Sequence, residues 1–105
     1  MFLQRDGTNM MTTESIQIEE ILSSKGKTKI IKLLALRNEM NITKIVELTG
    51  LNHLSVKSHL FFFKQIGFIQ EKKFGRIKIY RFKSENLKAK ALKNLIEFWE
   101  NDNGI

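Results

Sequence analysis

The sequence predicts a mainly α fold with a small β-hairpin, gathered in one domain, on three observations. Apolar residues recur at helical spacing in five separate stretches. One β-rich run, "FIQEKKFGRIKIYRFK" at 68–83, is broken once around Phe74-Gly75-Arg76, as a hairpin is. A chain of 105 residues is long enough for one hydrophobic core and too short for two, so 14–105 is expected to form a single unit behind a flexible arm at 1–13, where periodicity is weak and Gly7, Thr8 and Asn9 cluster.

Along the chain, "ESIQIEEILSS" places Ile18, Ile21 and Leu22 on one helical stripe, predicting a first helix over about 15–23. Ser24 has the chemistry of an N-cap for a second helix with Ile30, Ile31, Leu33 and Leu34 on its core face. "MNI" at 40–42 reads as a short extended piece. Thr43 is then the expected cap of a third helix carrying Ile45 and Leu48, and Gly50 supplies the left-handed residue that ends it. Asn52 caps a fourth helix over about 52–66, only a few residues on, so the third and fourth helices must cross steeply. After the hairpin, Ser84 is expected to cap a last helix over about 85–100, with Leu87, Ala91, Leu95 and Phe98 on one apolar stripe and Leu92, Ile96 and Trp99 on another. The order, three helices with a short strand among them, a tight turn, a fourth helix, a hairpin and a closing helix, is that of a winged helix-turn-helix with additional N- and C-terminal helices.

Charge is distributed unevenly. The net charge is +7, but 1–24 carry one Arg against four acids, 25–83 carry fourteen Lys or Arg against three acids, and 84–105 carry three Lys against four acids. Positive charge gathered in the middle segment suits a polyanion-binding surface flanked by arms with a different task. No apolar run approaches the length of a membrane span, no secretory apolar stretch opens the chain, and there is no cysteine, so a cytoplasmic protein without disulfides is expected.

The stretch "TGLNHLSVKSHLFFFKQIG", 49–67, concentrates the chemistry-bearing residues. At 100° per residue, Val56, Leu60, Phe63 and Gly67 fall on one side, which must be the buried face. His53 and His59 are six positions apart and point in different directions, so they cannot share a metal as an i, i+4 pair could. Ser55 and Ser58 have His59 nearby but no orienting acid and no strained elbow, which argues against nucleophilic catalysis. "GKT" at 26–28 echoes a phosphate-binding loop, yet Ile21 stands where the first glycine belongs. A non-enzymatic protein without cofactor or metal is therefore expected. The outward arc of the helix holds His53, Leu54, Ser55, Lys57, Ser58, Phe61 and Gln65, and a helix presented this way suits the major groove of double-stranded DNA.

The span 24–83 resembles the core of ArsR-like transcription regulators of the sort abundant in archaea. The likeness rests on the Ile-Ile-x-Leu-Leu helix, on "ITKIVELTGLN", on "VKSHLFFFKQIGFI" where the family carries Val-x-x-His-Leu running into Gly and a strand, and on "IYRF" closing the wing. The resemblance implies that Asn52, His53, Leu54, Lys57 and Ser58 face DNA. Lys57 is the candidate for guanine O6/N7 or a phosphate, and Leu54 for a thymine methyl; Asn52, Ser55 and Thr43 are placed to meet phosphates. Lys72, Lys73, Arg76 and Lys78 on the wing are expected to grip the backbone or minor groove. It further implies a homodimer paired through the first and last helices, with Ile18, Ile21, Leu22, Leu92, Ile96 and Trp99 at the seam. The cysteine or His/Asp metal sites of some members have no counterpart. Leu54 and Phe61 stand where the family carries polar or basic groups, and Ser58 where it often has arginine, which shifts weight toward backbone contacts and DNA shape. Phe61 is left open between lying under the wing and touching a second subunit. Two other functions fit the same residues: an architectural, chromatin-type protein with little sequence preference, and a winged-helix module that docks to another protein.

Overall fold

The computed structural model describes residues 16–102. In chain order these form α1 (Ile18–Ile21), α2 (Lys25–Arg37), β1 (Glu39–Asn41), α3 (Ile42–Thr49), α4 (His53–Gln65), β2 (Ile69–Phe74), β3 (Ile77–Phe82) and α5 (Leu87–Asp102). This is a winged helix-turn-helix with an extra helix at each end. The arm expected over 1–13 lies outside the described residues.

α1 is a single turn rather than the helix expected over 15–23, and its ending has a local cause. Ser24 must be extended (φ −144°, ψ 152°) for its side chain to accept the Lys27 N–H at 3.0 Å and start α2, so the chain leaves helical geometry just before it. α2 is the hub of the fold: it packs on α3, α4 and α5 and touches β3. Its Ile30, Ile31 and Leu34 are wholly buried. At its end Asn38 takes φ 74°, accepts the Phe82 N–H at 2.8 Å and so hands the chain from the helix to the sheet.

The cap of α3 is Asn41, not Thr43. β1 pairs with β3 as far as Asn41 opposite Ile79, and Asn41, still extended, accepts the Lys44 N–H at 2.8 Å; the helix therefore begins at Ile42 and Thr43 falls inside its first turn. Gly50 closes α3 at φ 73°, where a side chain would be strained, and its N–H donates to Val46 O at 3.0 Å. Thr49 is the one buried polar residue among those described, and it is satisfied: its hydroxyl donates to Ile45 O at 2.7 Å and accepts from the Leu51 N–H at 3.3 Å, bracing the turn into α4.

The sheet has the order β1-β3-β2, all antiparallel. Tyr80 and Phe82 anchor β3 in the core, as their alternation with Ile79 and Arg81 predicts, and Phe63 stacks on Phe68 with ring centroids 6.4 Å apart. The hairpin turns through two residues, Gly75 and Arg76, with Gly75 at φ 61° as the first turn position of a tight hairpin demands. Asn86, not Ser84, caps α5. It accepts the Ala89 N–H at 3.0 Å while its amide donates to Gly67 O at 3.1 Å, so one side chain starts the helix and ties it to the end of α4.

α5 packs through Ala89, which is completely buried, with Leu92 and Ile96 half-buried against the same core. The two apolar stripes of α5 are thus sorted: Leu92 and Ile96 serve the domain itself, whereas Leu87, Leu95 and Phe98, with Trp99 at the flank, stay exposed. Among the described residues no helix is long and apolar enough to cross a membrane.

Candidate nucleic-acid interface

α4 is positioned from three sides. Asn52 accepts the Ser55 N–H at 2.8 Å to fix its start, Val56, Leu60 and Phe63 are buried on one face, and Phe62 packs edge-on to Phe63 at 5.2 Å while the Lys27 ammonium lies 4.0 Å from the Phe62 ring centroid. The opposite face is open. His53, Leu54, Lys57 and Ser58 are exposed, and Ser55 is half-buried. Leu54 is 79% exposed and Phe61 58%, so two large apolar groups stand in water amid the polar ones.

His59, the remaining histidine of the helix, is packed rather than presented. Its Nε2 lies so close to the start of α2 that a Cβ on Gly26 would sit 3.2 Å away, and Leu51 closes the same spot. Burial, and after it the Lys27 ammonium, lowers the imidazole pKa below its ordinary value, favouring the neutral ring. Among the described residues no three of His, Cys, Asp and Glu come together as metal ligands would.

Between α4 and the wing runs a groove of ≈ 190 Å³ lined by Lys57, Leu60, Phe61, Lys64, Glu71, Lys78 and Tyr80. Phe61 therefore borders the wing, although it is not covered by it. Lys64 lies seven positions after Lys57, almost straight along the helix, and was as legible as Lys57 from spacing alone. Glu71 is the carboxylate of the groove. It accepts Lys64 Nζ at 2.8 Å through one oxygen and stands 3.5 Å from Lys78 Nζ through the other. The hydrogen bond from Lys64 holds the Glu71 carboxyl below the usual carboxylate range, against partial burial acting the other way.

The wing's cations separate by face. In the ladder Glu71 sits opposite Tyr80 and Lys73 opposite Lys78, so Lys73 and Lys78 share the helix-side face. Lys72 sits opposite Ile79 on the other face, where its ammonium is 2.6 Å from Glu39. Lys72, expected in one cluster with Lys73, thus points to the opposite side of the strand, as neighbouring strand residues do. That outer face also holds the Arg81–Glu85 pair at 2.8 Å, in which Arg81 holds Glu85 down to about 2. Arg76 is at the exposed turn, and among the described residues Lys57, Lys73 and Arg76 carry no ion pair. Phe74 and Ile77, paired across the hairpin end, are exposed beside them, a feature the sequence reading passed over.

The expected dimer residues divide. Ile21 is 6% exposed and belongs to the core, and Leu92 and Ile96 are half-buried on it, so these three pack within the domain, with Ile21 and Leu92 also lining the groove between α1 and α5. Ile18, Leu22 and Trp99 remain exposed. With Leu87, Leu95 and Phe98 they are exposed apolar side chains on and beside α1 and α5, and an open groove of ≈ 400 Å³ runs between these helices over Ile18, Ile21, Ala91, Leu92 and Leu95. Thr43 is exposed near the start of α3, as a phosphate contact would need.

No protein-family model matches the chain, and no curated protein matches it. Solved structures do. HlyU from Vibrio cholerae superposes with a TM-score of 0.67 at 17% identity, covering 78% of this chain and 86% of that one. The homodimeric winged helix-turn-helix DNA-binding domain of "a possible ArsR-family transcriptional regulator" from Mycobacterium bovis gives 0.63 at 22% identity, covering 81% and 76%. The transcriptional repressor PagR of Bacillus anthracis gives 0.60 at 20%, covering 73% and 85%. At these identities the likeness establishes the fold, and the chain is a winged helix-turn-helix protein.

Proposed function

We propose that this protein is a DNA-binding transcription regulator that lays α4 in the major groove and sets its basic wing on the adjacent backbone or minor groove. One observation carries the reading: the exposed flank of α4 with Lys57 opens onto the same groove as the cationic helix-side face of the wing, so both elements offer donors to a single duplex. Lys57 reads a base edge or phosphate, Leu54 meets a thymine methyl, His53 and Ser58 touch base edges, and Asn52, Ser55 and Thr43 meet phosphates. Lys73 and Arg76, free of ion pairs among the described residues, supply the main wing contacts. The similar structures include a transcriptional repressor and a DNA-binding domain, which supports the same assignment.

The functional unit is a homodimer, paired through the exposed faces of α1 and α5, with two α4 helices meeting half-sites about 34 Å apart. The similar domain from Mycobacterium bovis is homodimeric, and the uncovered Leu87, Leu95, Phe98 and Trp99 are large enough to form such a seam.

Selection of bound duplexes from a random pool tests the reading, run in parallel with Lys57→Ala. Enrichment of a two-half-site sequence, competing at least ~10³-fold better than random duplex, is the expected result. Lys57→Ala should lose discrimination at one position per half-site; equal enrichment by both proteins would remove Lys57 from base reading. Salt-dependent coating without enrichment would instead favour the architectural reading, to which the exposed Leu54 and Phe61 lend some weight.

A further inference from the structure

The groove between α4 and the wing contains a contradiction in charge. Three of its lining side chains are lysines, as a polyanion site requires, yet Glu71 sits in the middle and engages two of them. It receives a hydrogen bond of 2.8 Å from Lys64 on α4 and lies 3.5 Å from Lys78 on β3, so a single carboxylate spans the helix and the wing. Glu71 is a strand residue opposite Tyr80, and the buried neighbours that hold the wing, Ile69, Tyr80 and Phe82, are apolar or aromatic. The lysine side chains are about two-fifths exposed, whereas Glu71 is only one-fifth exposed; the ammonium groups can swing outward while the carboxylate stays in the groove.

Such a carboxylate occupies the place of a phosphate. DNA approaching the groove must take Lys64 and Lys78 from a resident anion, and the charge it meets there is lower by one than the lysines alone would present. We propose, resting on the DNA-binding reading above, that Glu71 is an internal counter-anion that competes with the DNA backbone for Lys64 and Lys78 and holds the protein's affinity for duplex below what its cations would otherwise produce. Glu71 acts through the two lysines and is a positioning residue, not a DNA contact. Its effect falls chiefly on sequence-independent binding, because backbone charge dominates that term.

The test is fluorescence anisotropy of a labelled random duplex against the full chain across a salt series, comparing wild type, Glu71→Gln and Glu85→Gln. The last removes the same formal charge from the outer face of the sheet, where Glu85 pairs with Arg81. Glu71→Gln should bind roughly three- to tenfold more tightly at low salt, with the slope of log K against log salt steeper by about 0.9, while Glu85→Gln shifts both much less. A strut that merely held the wing in place would show the opposite, weaker binding in Glu71→Gln, and that result overturns the proposal, as does an equal gain in both variants. Should Glu71→Gln melt far below wild type, Glu71→Thr, neutral and suited to a strand, is read instead with the same expectations. If wild type itself binds no duplex at low salt, the DNA-binding reading fails and takes this proposal with it. Wild-type binding with an unchanged Glu71→Gln sinks the proposal alone.

Discussion

The two exposed surfaces of this domain are built on opposite physical terms. The α4–wing face is cationic, with Lys57, Lys73 and Arg76 unpaired among the described residues and a lysine-lined groove between helix and hairpin. The α5–α1 face is apolar, with Leu87, Leu95, Phe98 and Trp99 in the open, and it belongs to chain segments whose net charge is slightly negative. A charged surface binds by releasing counterions and weakens as salt rises; an apolar one binds by removing area from water and is indifferent to salt or strengthened by it. A single salt series therefore separates the two functions, and substitutions on one face should leave the other's behaviour intact.

The largest expected effect is on the cationic face. The triple substitution Lys57→Ala, Lys73→Ala, Arg76→Ala should lower affinity for any duplex by roughly a hundredfold or more at moderate salt and reduce the salt slope by about 2 to 3, measured by anisotropy, with sedimentation unchanged. Next comes the apolar face. Leu95→Glu with Phe98→Glu should convert a dimer to a monomer in sedimentation at micromolar concentration, and weaken binding to paired half-sites by about ten- to a hundredfold through lost effective concentration while a single half-site is bound as before. A wild-type chain that already sediments as a monomer would break the comparison, since the apolar face would then have no such task.

The smallest effect is on stability. The folded His59 imidazole has a lowered pKa, so the unfolded chain takes up a proton near 6.5 while the folded chain does so only at lower pH. Stability should thus fall as the pH is lowered through about 6.5 and level off beneath the folded value. Glu71 and Glu85, whose carboxyls are depressed, lose their contributions as the pH falls from the ordinary carboxylate range toward their lower folded values, a window below that of His59. His59→Gln should flatten the melting temperature between pH 7 and 5; an unchanged slope would assign the dependence elsewhere.

Most of the architecture was legible from spacing, because a helix with one buried face constrains its residues strongly. Val56, Leu60 and Phe63 were placed correctly by angle alone, and Gly50 and Asn52 by the backbone geometry their positions require. The caps at Asn41 and Asn86 were not legible. Which polar residue starts a helix depends on where the preceding strand stops pairing and on whether the side chain has a second partner such as Gly67 O, and both are tertiary facts. α5 has two apolar stripes, and periodicity does not choose between them. Within the domain the choice falls to Ala89, which is completely buried and brings Leu92 and Ile96 onto the core beside it. That Lys72 and Lys73 point to opposite faces of the wing is legible from strand parity alone. Glu71 could not be assigned without the fold, because its partners lie on a helix seven residues back and on the facing strand.

The central claim is that the α4 flank and the helix-side face of the wing meet duplex together. Its most direct measurement is backbone amide chemical-shift mapping of the labelled full chain titrated with duplex at low salt. Perturbations concentrated at 52–58 and 73–78, fading as salt is added, are what the account predicts. Perturbations confined to 87–99, or none at any salt, would contradict it.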